Sequence, residues 1–284
     1  MSTGEKTAAQ ARDAATVVVL RDAAGSVHNA GPEVYLVKRS RMVDFMAGAH
    51  VFPGGRLDKD DSSASACALL SADVATLHRR LGEAIPAVHA AGLYVAAVRE
   101  TFEEAGLLFG RLGAGWNTDD ARRAADGGAL FATLVERIDV SALVPWVRWV
   151  TPDISPRRFD ARFFLARAPH GQEPRVDGRE AVEGLWISPR EALELWEAGG
   201  MQLAPATAKC IEMLTAYSTV AAALEDAARR TPPVSKPHVW NDKESGRAYI
   251  SLPGDPRHPL PDVLGGSILR FELTEGRYRR VVAR

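Results

Sequence analysis

The segment at residues 99–108 constrains this chain most, because it places three carboxylates and an arginine in one short stretch that ends near a glycine. Glu100 and Glu104 are four residues apart, and Glu100 and Glu103 are three apart, so on a helix all three side chains lie on one face. Like charges repel each other, and a fold tolerates them best when a cation lies among them. Apolar residues at 93 and 95–98 indicate that this helix starts in a core.

The ordinary interpretation of paired glutamates on a helix is a solvated face. Two neighbouring features argue against it in this chain. Arg99 adjoins the carboxylates, and Phe102 is an apolar anchor between them. Upstream, the sequence FPGGR at residues 52–56 forms a candidate glycine loop. The combination favours a functional site over a charged surface.

The run RETFEEAGLL at residues 99–108 resembles the second half of the signature of the Nudix hydrolases, R-E-apolar-x-E-E-x-G-apolar. Thr101 stands where the family prefers an apolar residue. The first half of the signature begins with a glycine, and Gly55 fits it. The family then has five residues, a glutamate and seven residues before the arginine, whereas 43 residues separate Gly55 from Arg99 here. The signature is therefore split. Counted back from Arg99, the position of the family's glutamate is occupied by Ala91, so one acid is expected to be missing.

A split signature is typical of one branch of the family, the acyl-coenzyme A diphosphatases, which carry an insertion inside the Nudix box. The chain resembles this branch beyond the box, in GAHVFPGG at 48–55 and in the segment from Thr151-Pro152 to Phe163-Phe164. The resemblance covers residues 15–215. It predicts an α+β fold, an α/β/α sandwich in which a mixed sheet lies between helices, with a helical insertion at 59–88.

A looser similarity links the residues before the glycine loop to the coenzyme A signature of other Nudix diphosphatases. Arg39-Ser40 and Gly48 fit that pattern. Asp44 stands where the pattern has its second arginine. Coenzyme A is therefore one substrate that the resemblance implies, and the Nudix assignment is the broader one.

Spacing and resemblance together assign Glu100, Glu103 and Glu104 as ligands of Mg²⁺, which prefers carboxylate oxygens. Mn²⁺ would fit the same ligands. Arg99 lies one turn before Glu103 and is expected to hold a carboxylate in place, the alternative being an ordinary surface pair. Glu103, Glu104 and Arg99 are thus the catalytic candidates. The general base stays open between Glu103 and Glu183.

Candidate substrate contacts lie around the glycine loop and on three arginines. Gly54 and Gly55 would let the backbone approach a diphosphate closely, and the resemblance implies a carbonyl of this pair, assigned to Gly55, as a metal ligand. A Pro-Gly-Gly sequence by itself is usually a turn. Arg39, Arg56 and Arg158 are expected to contact phosphates, because guanidinium forks match phosphate oxygens. Each arginine alone is equally well a solvated side chain.

Composition limits the class of partner. A net charge of −1 gives no general attraction to nucleic acid or to anionic membranes. Cys67 and Cys210 are too few and too far apart for a metal spacing or a disulfide framework, which favours a reducing compartment. The first residues have no apolar run typical of a secretory signal, and no stretch approaches the roughly 20 apolar residues of a membrane span. We expect a soluble cytoplasmic protein that binds a small molecule.

Hydrophobic patterning predicts strands at residues 16–20, 34–37, 50–52, 143–150, 158–165 and 183–187. Predicted helices cover 94–105, 119–138, a segment starting at Ser188, and a long amphipathic stretch at 205–229. The insertion at 59–88 is expected to form one or two surface helices that end before Pro86.

The chain divides into three predicted parts. Residues 1–13 are small and polar and are expected to form a mobile arm. Residues 14–230 form the predicted Nudix hydrolase domain. Residues 231–284 follow a Thr-Pro-Pro boundary and are expected to form short strands and turns. Two roles stay open for this extension, covering the active site and forming a homodimer.

Three functions are compatible with these residues. The resemblance implies a Mg²⁺-dependent diphosphatase that cleaves coenzyme A or acyl-CoA to 3′,5′-ADP and 4′-phosphopantetheine or its acyl form. The second is the same reaction on another nucleoside diphosphate derivative, such as ADP-ribose, NADH or a capped nucleotide. The third is a nucleotide-binding domain without hydrolysis. The three glutamates count against the third function, and the glutamate missing at Ala91 counts for it.

Overall fold

A mixed sheet of eight strands lies between two helical layers in the computed structural model, counting the strands of the residues that it describes, 10–23, 31–42, 46–274 and 276–281. The predicted α/β/α sandwich is therefore confirmed. Asp44, residues 1–9 of the predicted arm and residues 24–30, between the strands predicted at 16–20 and 34–37, lie outside the described residues. Within the described ranges, no helix is both long and apolar enough to cross a membrane.

The strands are β1 (Arg12–Asp22), β2 (Pro32–Arg39), β3 (His50–Val51), β4 (Gly54–Arg56), β5 (Gly110–Leu112), β6 (Val135–Ile138), β7 (Val144–Val150), β8 (Phe159–Arg167), β9 (Ala181–Ile187), β10 (Val234–Ser235), β11 (His238–Asn241), β12 (Ala248–Ser251), β13 (Arg270–Thr274) and β14 (Arg277–Arg280). The helices are α1 (Ala64–Ala68), α2 (Val74–Leu81), α3 (Ala87–Ala105), α4 (Thr118–Asp126), α5 (Phe131–Leu134), α6 (Pro189–Glu197), α7 (Pro205–Leu214) and α8 (Val220–Ala228). Two 3₁₀ turns cover Lys59–Ser62 and Val140–Ala142.

Strand β1 is the centre of the main sheet, whose order is β10-β7-β8-β1-β2-β3. It pairs with β8 in parallel along one edge, from Arg12 opposite Phe159 to Leu20 opposite Arg167. Two strands pair with the other edge of β1. Strand β2 pairs with the C-terminal end of β1, and β4 pairs with Ala14–Thr16. Strand β9 adds to the far side of β2. The pairing with β4 places the glycine loop inside the sheet, directly beside β1.

The two faces of the sheet carry two separate cores. Because side chains alternate along a strand, Tyr35 and Val37 of β2 face the core that includes α3, while Val34 and Leu36 face the other. The first core also contains the insertion. The second contains α6, α7, α8 and part of the C-terminal extension.

Helix α3 begins seven residues earlier than predicted, directly after Pro86. Its first turns are rich in small residues, and the helix packs closely on the insertion there: a side chain at Gly92 would overlap Ser62. The predicted end is confirmed. Gly106 adopts a left-handed conformation with φ of 69° and donates its backbone N–H to the carbonyl of Phe102 at 2.9 Å.

The insertion is helical as predicted and is anchored by its own caps. Ser63 and Asp73 accept backbone N–H groups at the starts of α1 and α2, and Gly82 ends α2 in a left-handed conformation. Leu77 and Leu81 are buried against α3. The insertion is therefore part of the first core.

Two predicted helices were wrong in extent. The helix predicted at 119–138 stops at Asp126, before two glycines, and the chain then forms α5 and β6. The helix predicted at 205–229 is broken into α7 and α8. The break occurs because Thr219 caps a new helix with its hydroxyl, and Asp22 accepts the backbone N–H of Val220 at 2.9 Å.

The N-terminal arm differs from the prediction in one respect, whereas the extension forms the short strands that were predicted. Strand β1 begins at Arg12, so the last two residues of the predicted arm belong to the sheet. The extension does form short strands, with β10 joining β7 and β11–β14 forming a second antiparallel sheet. Phe271 of this sheet packs on Trp196 of α6, in the core on the face away from α3. Phe271 and the strands around it in the described part of the extension therefore pack on the face of the sheet opposite α3.

Candidate active site

Arg99 is the centre of the site and is almost buried, with 8% of its surface exposed. Its Nε and Nη2 donate to the two carboxylate oxygens of Asp61 at 2.8 and 2.9 Å. Nη2 also donates to the backbone carbonyl of Arg56 at 3.0 Å. A planar guanidinium that meets a carboxylate with two parallel bonds is held in one orientation. Arg99 thereby joins α3 to the chain that follows the glycine loop.

Asp61 is the acid that the sequence prediction missed. It is 3% exposed, and its carboxylate also accepts the backbone N–H of Asp58 at 2.8 Å. Counting forward from Gly55 leaves five residues before Asp61, which is the family spacing. The acid is therefore present as aspartate, and the insertion follows it. The expectation of a missing acid at Ala91, a buried helix residue, is wrong because the count was taken backward across the insertion.

The same guanidinium holds two of the three predicted ligands. Nη1 of Arg99 donates to Glu100 at 2.9 Å and to Glu103 at 3.1 Å. The predicted pairing of Arg99 with Glu103 is thus present. Glu100 lies against the glycine loop, where a side chain at Gly55 would overlap its carboxylate. Only glycine permits this approach of backbone and carboxylate.

Glu104 is 7% exposed and accepts the backbone N–H of Gly54 at 3.0 Å. Burial and the neighbouring charge of Glu100 raise its pKa to about 8, against the lowering effect of that hydrogen bond and of Arg39. Burial likewise raises the pKa of Glu100 to about 7, although Arg99 opposes it. Burial also raises the pKa of Glu103. One arginine does not neutralise three carboxylates, so the cluster favours a further cation.

Comparison with known proteins identifies the family. A family model described as the NUDT19 Nudix domain matches residues 72–213, half of the chain. This chain belongs to the Nudix family. It is 32% identical to the acyl-coenzyme A diphosphatase NUDT19 of Gallus gallus over 68% of this chain and 65% of that protein. It is 29% identical to the Homo sapiens protein of the same name over 62% of this chain and 58% of that protein. The chain thus spans less than two thirds of the length of these two relatives.

A solved structure supports the same fold. The Nudix hydrolase of Alicyclobacillus acidocaldarius shares 29% sequence identity and superposes with a TM-score of 0.58. The match covers 78% of this chain and 97% of that one. The match supports the Nudix fold for this chain, and α3, which carries residues 99–105 of the signature, is its Nudix helix.

Nudix hydrolases generally need divalent metal ions, and the Nudix helix offers suitable donors. Within the described ranges, no three His, Cys, Asp or Glu side chains already surround one point. The reason is visible in their partners, because Glu100 and Glu103 turn to Arg99 while Glu104 turns to Gly54. The donors are all oxygens, and two have pKa values that a bound cation would lower. This set fits a hard divalent cation.

The predicted phosphate-binding arginines occupy different surroundings. Arg39 lies at the end of β2, and its charge acts on Glu104. The Arg56 side chain is 62% exposed and pairs with Asp58 at 2.9 Å. Arg158 is nearly buried and pairs with Asp153. Arg56 and Arg158 both line a cavity of about 1030 Å³ that none of the three glutamates reaches.

The structure does not bring Glu183 to the Nudix helix. Its carboxylate accepts a hydrogen bond from Lys38 at 3.1 Å, its partner across β2 and β9. Lys38 alternates with Val37 and so faces the core away from α3. The charge of Glu180, on the loop before β9, adds to the effects of burial and Glu100 that raise the pKa of Glu104. Of the two predicted general bases, Glu103 is the one located in the cluster.

Arg122 is a further functional candidate that sequence reasoning missed. From α4, its Nε and Nη2 donate to the backbone carbonyl of Glu103 at 3.2 and 2.7 Å, and its Nη1 donates to the carbonyl of Arg175 at 2.9 Å. It therefore fixes the last turn of the Nudix helix from outside. No motif marks it, because the helix carrying it reads as an ordinary charged surface helix.

Proposed function

We propose that this Nudix domain hydrolyses the diphosphate of coenzyme A or acyl-CoA and releases 3′,5′-ADP and 4′-phosphopantetheine or its acyl form. The two NUDT19 relatives are named acyl-coenzyme A diphosphatases, which supports this substrate class. In the reaction, water adds to one phosphorus, the bridging P–O bond breaks, and each product carries one of the two phosphates. The same bond is present in other nucleoside diphosphate derivatives, which serve as comparison substrates.

The observation that carries the proposal is the pairing of Arg99 with Asp61. It reunites the two halves of the signature across the insertion, and it orients Glu100 and Glu103 beside the glycine loop. A domain that only bound nucleotide would not require all four acids in this arrangement. The restored acid removes the argument for the non-hydrolysing alternative.

The proposed division of labour follows from these contacts. Glu100, Glu103, Glu104 and the backbone of Gly55 would hold Mg²⁺, or Mn²⁺ in its place. The ion would neutralise phosphate charge and lower the pKa of a bound water. Arg99 positions two of the glutamates, Glu100 and Glu103. Glu103 is the proposed base, because among the carboxylates paired with Arg99 only Asp58 is more exposed. Arg56 directly follows the glycine loop, and the charge of Arg39 reaches Glu104, so both arginines would contact the diphosphate.

A direct assay tests the function. Purified protein, Mg²⁺ and acyl-CoA are expected to give 3′,5′-ADP in equal amount to the acyl-phosphopantetheine, as measured by chromatography. Glu104→Gln should reduce turnover by about 10²-fold or more, the scale found when a group that stabilises a transition state is removed. Glu136→Gln, at an exposed glutamate paired with Arg111, is the matched control and should retain full activity.

Two results would contradict the proposal. Cleavage of ADP-ribose, NADH or a capped nucleotide, with coenzyme A and acyl-CoA both untouched, would assign another substrate. Unchanged hydrolysis by Glu104→Gln would remove the glutamate cluster from the chemistry.

We also propose a cytoplasmic location and leave the homodimer as a prediction. The location rests on Cys67 and Cys210, both of which are free thiols in the structure. Fractionation of cells of the source organism would test it. Light scattering of the purified full chain would test the dimer, which requires twice the mass of 30.6 kDa.

A further inference from the structure

The cavity beside the glycine loop carries an unusual charge for this chain, and we call it the basic cleft. Five cationic side chains line it, against two carboxylates, Asp13 and Asp58. The cations are Arg12, Arg56, Lys59, Arg157 and Arg158. The whole chain has a net charge of −1, so this excess of positive charge is local. Clefts lined by one sign of charge concentrate ligands of the opposite sign.

The two carboxylates in the basic cleft already have cationic partners. Asp13 pairs with the buried Arg162 and, at 2.9 Å, with His89. Asp58 pairs with Arg56 at 2.9 Å. Arg12, Lys59 and Arg157 are exposed to solvent along the lining. A ligand entering the cleft therefore meets more positive than negative charge.

The basic cleft is continuous with the candidate active site through one short segment. Arg56, Leu57 and Asp58 line the cleft and directly follow Gly54-Gly55. The backbone carbonyl of Arg56 accepts the hydrogen bond from Arg99 that was described above. A diphosphate lying on the glycine loop would therefore lie next to a segment that also lines the cleft.

The size and lining of the basic cleft suit a nucleotide. A volume of about 1030 Å³ is at the upper end of typical ligand pockets. Phe159 and Pro156 add apolar surface, and an aromatic ring can stack on a base. An acyl chain is apolar and would need an apolar lining, whereas five cationic side chains line this cleft.

We propose that the basic cleft binds the nucleoside end of the substrate and selects ligands with an additional phosphate on the ribose. The inference rests on the proposed function, since coenzyme A carries a 3′-phosphate on its adenosine. Lys59 and Arg157 are assigned as the exposed cations that recognise this phosphate. They lie on two different segments that both line the cleft, the start of the insertion and the loop before β8.

A substrate comparison tests the assignment. In the wild type, kcat/KM should be higher for coenzyme A than for dephospho-coenzyme A, which lacks only the 3′-phosphate. In Lys59→Ala/Arg157→Ala this preference should fall by about tenfold or more, the scale of losing charge-assisted hydrogen bonds, with dephospho-coenzyme A little affected. Arg111→Ala is the matched control, because Arg111 is 67% exposed and pairs with Glu136 at 2.8 Å, away from the cleft.

A binding measurement separates this inference from the proposed function. Titration calorimetry of the wild type should show tighter binding of 3′,5′-ADP than of 5′-AMP, and the double variant should bind the two equally. That result supports the basic cleft whether or not hydrolysis is observed. Equal binding of both nucleotides by the wild type, or an unchanged difference in the double variant, overturns the assignment even if coenzyme A is hydrolysed.

Discussion

The pair formed by Arg99 and Asp61 shows how a single residue decides whether the site exists. Both side chains are almost fully buried, and Arg99 also holds Glu100 and Glu103. Burying an ion pair costs desolvation energy that only good geometry offsets, whereas breaking the pair leaves an uncompensated charge. The pair is therefore better understood as a positioning device than as a source of net stability.

Asp61→Ala should lower the free energy of unfolding by about 3 kcal/mol, because the Arg99 guanidinium would lose its buried counter-charge. Denaturant titration measures this, and the activity should fall as well. Asp61→Glu keeps the carboxylate and should recover part of both. Asp58→Ala, at a half-exposed carboxylate 3.8 Å from Arg99, is the control. Equal midpoints for Asp61→Ala and Asp58→Ala would contradict the role given to Asp61.

The glutamates give the metal-free protein a distinctive pH dependence. Glu100 and Glu104 have pKa values of about 7 and about 8 in the fold, above the ordinary value of 4.5. The folded state thus binds protons more tightly than the unfolded state, and the free energy of unfolding falls as pH rises from about 4.5 to about 8. Chemical denaturation at several pH values, with chelator present, should show this decline.

Two controls make the pH prediction specific. Glu104→Gln should flatten the decline, since the side chain no longer loses a proton. Mg²⁺ added at pH 8 should raise the unfolding midpoint of the wild type more than that of Glu104→Gln, because a ligand that binds only the folded state stabilises it. A midpoint that rises steadily from pH 5 to pH 8 in chelator would be inconsistent with the pKa shifts.

At the scale of elements, the ends of helices were predictable where a local cap defines them. Gly106 ends α3, and Ser188 caps α6 through the backbone N–H of Glu191 at 3.2 Å, as their sequence patterns predict. The start of α3 was not predictable, because alanine-rich turns show no clear apolar face. The break between α7 and α8 depends on Asp22, 198 residues away along the chain, and no local pattern contains that information.

The last turn of α3 depends on Arg122 of α4. Arg122→Ala should reduce kcat more than it raises KM, because Glu103 would lose the support of its backbone carbonyl. Hydrogen exchange of the amides at 103–107 should become faster, which reports local opening. The neighbouring Arg123→Ala removes an arginine that is 70% exposed and paired within its own helix, and it should change neither measurement. Equal exchange rates in the two variants would exclude the positioning role.

At the scale of the whole molecule, the sequence predicted the layers of the sandwich and the relationship between the glycine loop and the Nudix helix. It did not predict where the extension packs. The resemblance ends near residue 215, so nothing indicated that Phe271 belongs to the core of the sandwich. Likewise, the two cationic segments of the basic cleft are about 100 residues apart, and they meet because β1 pairs with β4 on one side and with β8 on the other. Long-range strand pairing of this kind leaves no local pattern.

The shared core predicts that the extension unfolds together with the rest. Phe271→Ala should lower the free energy of unfolding by about 3–5 kcal/mol, the usual cost of removing a buried aromatic side chain. Leu273→Ala, two residues along the same strand and 43% exposed, should cost much less. Thermal unfolding followed by near-UV dichroism and by Trp fluorescence should give one coincident transition. An early transition confined to the extension would show an independent unit.

The insertion after Asp61 lengthens the loop between the two halves of the signature, and this length has an entropy cost. The loop from Gly55 to Arg99 holds 43 residues, about three times the family spacing, yet the cost of closing a loop grows only with the logarithm of its length. The extra length adds about 1 kcal/mol of closure entropy, which the buried Leu77 and Leu81 readily offset. The segment between Asp61 and α3 is therefore a position at which this fold tolerates an insertion without a change in its active site.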